Sequence, residues 1–412
     1  MKTTIMNNKP HCTLYFVFFV LFITQVHSQD TVRVMYYNLL NFPDVTPSRC
    51  DTLRKILQHA KPDIFVVNEL QSLYGANLIL NQSLNVFGTT HYQKANFING
   101  SDTDNMFYYN TNLFGFISQQ QLATPLRDIS EYVVYYKPSA GNGDTIFLRF
   151  YSMHLKASTG QANEQQRQQE VAVLKNYLQQ NNLNKNIIAG GDLNLYASTE
   201  PAYITLTAGG TPLYDPLNSP GAWSGDAQFA SLHTQSVRIN SYLGGAGGGM
   251  DDRFDHILVS GDVLTGLNKV KYVQNTYWAY GQDGNRFNAE LIIPQNNSLP
   301  DSVLKAMYNM SDHLPVFMKI YIDPLMSQVQ KNNPHQHNII LYPNPTNQKV
   351  LIQSLSKILP KEIYITNLVG SKVFPLIEID ENERIKLDFS QLPSGIYYLY
   401  HKNLVSKIIV EE

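Results

Sequence analysis

The sequence predicts an α/β protein: a layered sandwich of sheets and helices, followed by a small all-β unit. Three observations predict it. Short apolar runs recur along most of the chain, bounded by Gly, Pro and Asn, while two stretches between them carry helical spacing instead. The composition is 43% hydrophobic and 16% charged with 26 Tyr and 19 Phe, which suits a sizeable core rich in strand-forming residues. The 412 residues exceed one average domain, and the character changes after Ile322, where a polar stretch at 323–338 leads into a second series of strand-like runs.

The elements follow in order. Lys2 and Lys9 precede an apolar run at 14–23 that is too short for a comfortable membrane span, and Val26 and Ser28 offer small residues at a cleavage site. Residues 1–28 therefore read as a secretory signal peptide. Its removal leaves 29 basic and 33 acidic residues, a net charge of −4, with no global basic charge to advertise nucleic acid. Cys50 becomes the sole cysteine, so no intrachain disulfide is expected and it reads as a packed thiol.

Strands are expected at 32–37, 63–67, 106–109, 132–136, 146–152, 187–189, 254–259 and 316–322. Helices are expected at 52–60, stopped by Pro62, and at 164–180, where Val171, Leu174 and Leu178 share a face. Gly190 and Gly191 are expected to end the strand at 187–189. The run GGAGGG at 244–249 reads as a flexible hinge, and 220–240, with Trp223, His233 and Arg238, as a substrate groove or a surface loop. Residues 339–412 read as a small all-β unit without a catalytic cluster.

One design repeats along the 29–322 unit: polar side chains stand at the ends of apolar strands. Asn38 follows VRVMYY, Glu69 follows IFVVN, and His154 follows IFLRFYSM; Asp192 and Asn194 follow IIAGG. Asp255 and His256 open FDHILV, and Asp312 and His313 precede LPVFMKIYI. Any one of these is an ordinary turn or a solvated side chain. Six strand ends converging on one edge of layered sheets are the way rigid elements hold a first ring of catalytic groups.

Phosphoryl transfer is the chemistry that uses such a set. The hard oxygens of Glu69, Asp312 and Asn38 suit Mg²⁺ or Ca²⁺ rather than zinc. His313 is a candidate general base on water, with Asp255 as its orienting carboxylate, and His154 and Asn194 could donate to phosphate oxygens or the leaving group. Arg253, His233 and Arg238 are candidates for substrate contact.

The ordered set Asn38, VNEL with Glu69, SMHL with His154, GGDLN, DRFDHIL and SDHLPV resembles the endonuclease/exonuclease/phosphatase superfamily over about residues 30–322. The resemblance implies the fold of deoxyribonuclease I, a four-layer α/β/β/α sandwich of two packed sheets flanked by helices. It further implies that Asn38 and Glu69 belong to the metal site, that Asp192 and Asn194 orient water and phosphate, that Asp255 supports His313, and that Asp312 lies near the metal. Mg²⁺ is the implied cofactor, with Ca²⁺ and Mn²⁺ as alternatives. His154 stands where the abasic-site branch carries Tyr, which sets the chain nearer the deoxyribonuclease I and sphingomyelinase branches. Leu193 and Phe254 depart from the usual Phe and Ile. No acid that would orient His154 is evident; Asp104 is the candidate.

The tail, with YPNPT, LPSGIYYL and a terminal SKIIV, resembles the type A sorting domain of type IX secretion. That resemblance implies the type IX machinery as a partner and a secreted or cell-surface location. The leading expectation is a secreted, metal-dependent phosphodiesterase acting on DNA or RNA. A sphingomyelinase-like phospholipase, for which the aromatic run 277–280 could touch a membrane, and a non-catalytic adhesin are the alternatives.

Overall fold

A computed structural model describes residues 30–44, 46–139, 145–323, 339–354, 358–368, 371–380, 384–401 and 404–411. The expected signal peptide and nearly all of the expected linker lie outside the described residues. Contacts divide the chain into two compact units, Met1–Gln328 and Val329–Glu412.

The first unit is built on two sheets. Its strands begin with β1 (Asp30–Phe42), β2 (Ile64–Leu70), β3 (Tyr92–Lys94) and β4 (Asp104–Asn110). The next six are β5 (Phe114–Leu122), β6 (Ile129–Tyr136), β7 (Phe147–His154), β8 (Ile187–Asp192), β9 (Leu213–Tyr214) and β10 (Asp255–Ser260). The last are β11 (Val270–Tyr272), β12 (Trp278–Ala279) and β13 (Val316–Ile322). One sheet has the order β11-β13-β1-β2-β4-β3, with β12 also on β13, and the other the order β5-β6-β7-β8-β10-β9. Each holds one parallel pair, β1 with β2 and β7 with β8, among antiparallel neighbours.

Alternation along β1 explains the layering. Val32, Val34 and Tyr36 face the second sheet, packing with Phe107, Phe150, Ile188 and Ile257 in one shared core. Met35, Tyr37 and Leu39 point the other way, into a core with α1 (Arg49–Ala60) and α6 (Asp301–Met310). The outer face of the second sheet is covered by α3 (Gln161–Gln180), through Val171, Leu174 and Leu178, and by α4 (Pro201–Thr207). The helices α2 (Leu73–Leu78) and α5 (Gly261–Thr265) are short connectors. The layers therefore run α/β/β/α, and burial at about 1.5–3 kcal/mol per large apolar side chain holds them together.

Two local expectations change, and one strand was not expected. The pair Gly190-Gly191 does not end β8 but lies within it, where a Cβ at Gly190 would sit 2.4 Å from the His256 carbonyl oxygen and one at Gly191 2.1 Å from that of Met153. Glycine is required there because two neighbouring backbones come that close, and Gly191 also holds φ at +128°. The edge strand β5 carries exposed polar residues and gave little apolar signal. The run at 244–249 is not a free hinge: Ala246 donates its backbone N–H to Asp312 Oδ2 at 2.7 Å, and its carbonyl accepts from Ser236 Oγ, also at 2.7 Å.

The second unit comprises β14 (Ile339–Tyr342), β15 (Lys349–Ser354), β16 (Ile363–Asn367), β17 (Lys372–Val373), β18 (Leu376–Ile379), β19 (Ile385–Asp388), β20 (Gly395–His401) and β21 (Leu404–Val410). Two four-stranded sheets, β14-β15-β19-β18 and β17-β16-β20-β21, share a core that includes Val350, Leu387, Leu399 and Ile408. This is the all-β unit the sequence predicts.

Candidate active site

Strand register assembles the site. In the second sheet His154 of β7 is the partner of Asp192 of β8, and Asp192 is the partner of Asp255 of β10, so three functional side chains stand on one rung. The first sheet contributes Asn38 from β1 and Glu69 from the end of β2, where φ is +57°. Asp312 and His313 come from the turn between α6 and β13. All except Glu69 are nearly inaccessible to solvent, and Glu69 is partly exposed.

Asn38 joins the two sheets. Its Nδ2 donates to Glu69 Oε1 at 2.9 Å and to Asp192 Oδ2 at 3.0 Å, while its Oδ1 accepts from the Leu40 backbone at 3.0 Å. Glu69 Oε2 accepts from the Asn41 backbone at 3.0 Å. His154 Nε2 lies 3.5 Å from Asp192 Oδ2 and 3.8 Å from Glu69 Oε1. His313 pairs its Nδ1 with Asp255 Oδ2 at 2.7 Å and turns Nε2 toward Asp192 Oδ2 at 3.6 Å. Asn194 closes the loop after β8: its backbone N–H donates to Asp192 Oδ1 at 3.1 Å and its Nδ2 to the Leu155 carbonyl at 3.2 Å.

Burial without bulk water sets the charges. Desolvation pushes the Glu69 carboxyl up against the opposing bond from Asn38. The same cause raises Asp192 to about 7, partly offset by His313 and reinforced by Asp255 and Glu69. Desolvation holds His154 well below the ordinary histidine range, and the cations of Arg127 and His313 add to it. Burial also disfavours charge on His313, but Asp255, Asp192 and Asp312 outweigh it and hold that imidazole well above the ordinary range. Two imidazoles are thereby driven in opposite directions, one neutral and one prone to carry a proton.

Eight of the expected residues thus gather in one place. Asp312 is there, although its carboxylate is taken up by the Ala246 backbone and by Gln235 Nε2 at 3.2 Å. The three candidates for substrate contact lie apart from this network. Arg253 is 1% exposed, paired with Asp215 at 2.9 Å and set over the Trp223 ring. His233 is 0% exposed, with Nε2 on the Trp223 carbonyl at 2.7 Å. Arg238 lies over Tyr242 and Tyr308 and bonds to the Tyr308 carbonyl. All three are buried and at least partly engaged with protein groups, while Arg238 Nε and Nη2 and His233 Nδ1 have no hydrogen-bond partner among the described residues. Asp104, considered as an orienter of His154, accepts from the Gly100 backbone at 2.6 Å instead, and His154 Nδ1 has no partner among the described residues.

Sequence reasoning missed Gln235. Its carboxamide lies 2.7 Å from His313 Nε2, so it can donate to a neutral ring or offer its oxygen to a charged one. A single Gln in a polar loop gives no sign of this; only the pairing of residue 235 with both Asp252 and His313 brings it in. Asn68 and Asn105 were missed as well. Asn68 Oδ1 accepts from the Asp192 backbone at 3.2 Å, and its Nδ2 donates to Asn105 Oδ1 at 2.6 Å, which braces the strand ends from behind.

The donor set fits a divalent cation. One ligand atom each from Glu69, His154 and Asp192 lies within 4.8 Å of the others, a set that offers a divalent cation two carboxylate oxygens and one imidazole nitrogen. Asn38, placed with its nitrogen on both carboxylates, positions them.

Two family models match the chain, and several solved structures resemble it. The model named "Secretion system C-terminal sorting domain" matches residues 340–411. Among solved structures, TDP2 from D. rerio complexed with a single-strand DNA product is 16% identical with a TM-score of 0.46, covering 71% of this chain and 99% of that one. An endonuclease/exonuclease/phosphatase family protein from Bacteroides thetaiotaomicron is 13% identical with a TM-score of 0.46, covering 72% and 100%. A mannosyl-6-phosphatase from the same species is 17% identical with a TM-score of 0.44, covering 70% and 99%. No curated protein matches the chain. The model "Endonuclease/Exonuclease/phosphatase family" matches residues 35–313, from within β1 to the histidine before β13, and the chain belongs to that family.

Proposed function

We propose that the protein is a secreted, divalent-metal-dependent phosphodiesterase that cleaves the backbone of extracellular DNA or RNA, with His313 as general base. The observation that carries the reading is the buried His313–Asp255 pair at 2.7 Å, whose other ring nitrogen faces the carboxylate of Asp192 at 3.6 Å and the Gln235 carboxamide at 2.7 Å. The three carboxylates around His313 favour its charged form, so the general base is the ring after it has lost a proton; Asp255 then keeps the remaining proton on Nδ1 and Nε2 can take one from an attacking water. Asp192, locked by the Asn194 backbone, orients that water. The second Nδ2 proton of Asn194 is left to donate to a phosphate oxygen. Glu69, Asp192 and His154 would hold the cation. When bound there, it would neutralise charge on the phosphate oxygens. The sorting domain supports export through type IX secretion.

The aromatic run at 277–280 gives little support to a phospholipase. Tyr277 and Tyr280 are buried, Tyr280 OH lies 2.5 Å from His59 Nδ1, and Trp278 Nε1 donates to the Gln282 carbonyl at 2.9 Å. Side chains so engaged are core rather than membrane contacts.

The test uses the full-length protein with Mg²⁺ or with a chelator, against plasmid DNA, RNA, sphingomyelin vesicles and a phosphomonoester. Nicking that chelation abolishes and Mg²⁺ or Mn²⁺ restores is the expected result. His313→Ala should lower turnover about 10²–10⁴-fold with an unchanged circular dichroism spectrum. Near-wild-type turnover in that variant would sink the mechanism. Phosphocholine release without nicking would move the substrate to lipid.

A further inference from the structure

Arg49, the first residue of α1, is a buried cation that forms no ion pair among the described residues. Arg253, Arg167 and Arg286 are buried too, but each faces an acid: Asp215, Glu200 and Asp283. The Arg49 guanidinium is bonded mainly to backbone instead. Its Nη1 donates to the carbonyls of Leu39 at 2.9 Å and Met310 at 2.7 Å. Its Nη2 donates to the carbonyl of Leu40 and its Nε to Thr46 Oγ1, both at 2.8 Å. Burial works against the charge, so a cation is kept there in spite of its desolvation.

The three carbonyls belong to the two segments that frame the site. Leu39 and Leu40 follow Asn38 at a bend where Leu40 and Asn41 both hold left-handed backbone, with φ of +49° and +48°. Residues with a Cβ rarely take that conformation, and two in succession have to be held in it. The bend gives the Leu40 N–H to Asn38 Oδ1 and the Asn41 N–H to Glu69 Oε2, each at 3.0 Å, and so orients the Glu69 carboxylate. Met310 is the last residue of α6. After it, Ser311 Oγ donates to the Asn38 carbonyl at 2.7 Å and accepts from the His313 N–H at 3.1 Å, which carries the chain through Asp312 to the base.

A guanidinium suits this place better than an ammonium. Its donors lie in one rigid plane, so the carbonyls bonded to it are fixed relative to one another, whereas an ammonium on a flexible stem would let them shift.

We propose that Arg49 is a positioning residue for the cation site: by gripping the carbonyls of Leu39, Leu40 and Met310 it holds the Glu69 carboxylate, through the Asn41 N–H, at a fixed separation from the Asp312–His313 turn. The inference rests on the cation site and the phosphoesterase reading above, and adds that the gap between cation and base is set by a residue bonded to neither.

The test measures Mn²⁺ binding to the full-length protein without substrate, from the free-ion electron paramagnetic resonance signal. Hydrolysis of bis(p-nitrophenyl) phosphate in Mg²⁺ is followed beside it. Arg49→Lys keeps the charge and loses the fork. Its Mn²⁺ dissociation constant should rise roughly tenfold or more, and its kcat at saturating Mg²⁺ should fall by a similar factor. Thr46→Val removes only the anchor of Nε, at a half-buried position, and should move both quantities the same way by about threefold, the loss of one hydrogen bond. A lower melting temperature in Arg49→Lys with the dissociation constant and kcat unchanged would overturn the inference. Should Arg49→Lys fail to fold, Thr46→Val decides, and Mn²⁺ binding equal to that of the wild type would overturn it. Wild-type protein that binds no Mn²⁺ would remove the inference together with the cation site. Wild-type protein that binds Mn²⁺ but leaves the diester intact would instead sink the phosphoesterase reading, and the binding comparison would still decide the role of Arg49.

Discussion

At the scale of single residues, the site works by setting like groups apart. His154 and His313 are both buried, yet desolvation prevails at the first, although Asp192 and Glu69 lie within 4 Å, while three carboxylates prevail at the second. The 2.7 Å bond to Asp255 makes that difference useful, because it commits Nδ1 and leaves Nε2 pointing toward Asp192 and Gln235. Asp255→Asn should therefore lower turnover by about 10²–10⁴-fold while the protein still melts cooperatively, since an amide fits the space but can hold the wrong ring tautomer. Steady-state rates beside a melting curve check it; an unchanged rate would remove Asp255 from the mechanism. Cys50 plays no part in this chemistry: burial raises its thiol, and its Sγ donates to Gln82 Oε1 at 3.3 Å.

At the scale of elements, two glycine-bearing segments carry the consequences. Adding a methyl group at Gly190 puts it against backbone that cannot turn away, so Gly190→Ala should cost about 3 kcal/mol in urea unfolding, the upper end of the range for overpacking. The loop 244–249 is the second. A Cβ at Gly245 would lie 2.9 Å from both the Asp312 carboxylate and Leu40 Cδ1. Gly245→Val should push Asp312 aside and reduce turnover by roughly 10²-fold, the cost of about 1 Å of misplacement, with little change in unfolding free energy. Neither role is legible in the sequence. Gly-Gly after an apolar run looks like an ending, and GGAGGG looks like slack, because close approach is a property of the partner strand or carboxylate and not of the glycine. The strand ends were legible for the opposite reason. At Asn38, Glu69, His154 and Asp192 the switch from apolar to polar is written locally. Arg253 and His233 read as candidates for substrate contact until their partners Asp215 and Trp223, distant in sequence or hidden in a loop, are seen.

At the scale of the whole molecule, chemistry and address are divided between two units. The tail has its own core and its own titration. The Asp388 carboxyl is held at about 2 by bonds from the Ser390 backbone and side chain and from Lys349. A depressed folded-state value contributes stability above the unfolded value near 3.8, and that contribution is lost as pH falls from there toward 2. Protease cleavage within 339–411 should therefore rise across that window, mapped by mass spectrometry of the full chain, and Asp388→Asn should flatten the rise. An identical rise in both proteins would assign the acid sensitivity elsewhere. The tail's β character was readable from its alternating runs. The α/β/β/α layering was legible only through the family resemblance, since alternation marks two faces on a strand without saying what covers them.

The shared rung of His154, Asp192 and Asp255 has a consequence for how the protein can change. Insertion of one residue within β7, β8 or β10 would turn a member of that row to the opposite face of its sheet. Length variation that preserves the enzyme is therefore confined to the connections between strands. Those connections can drift through insertions and deletions while the cutting apparatus stays in alignment.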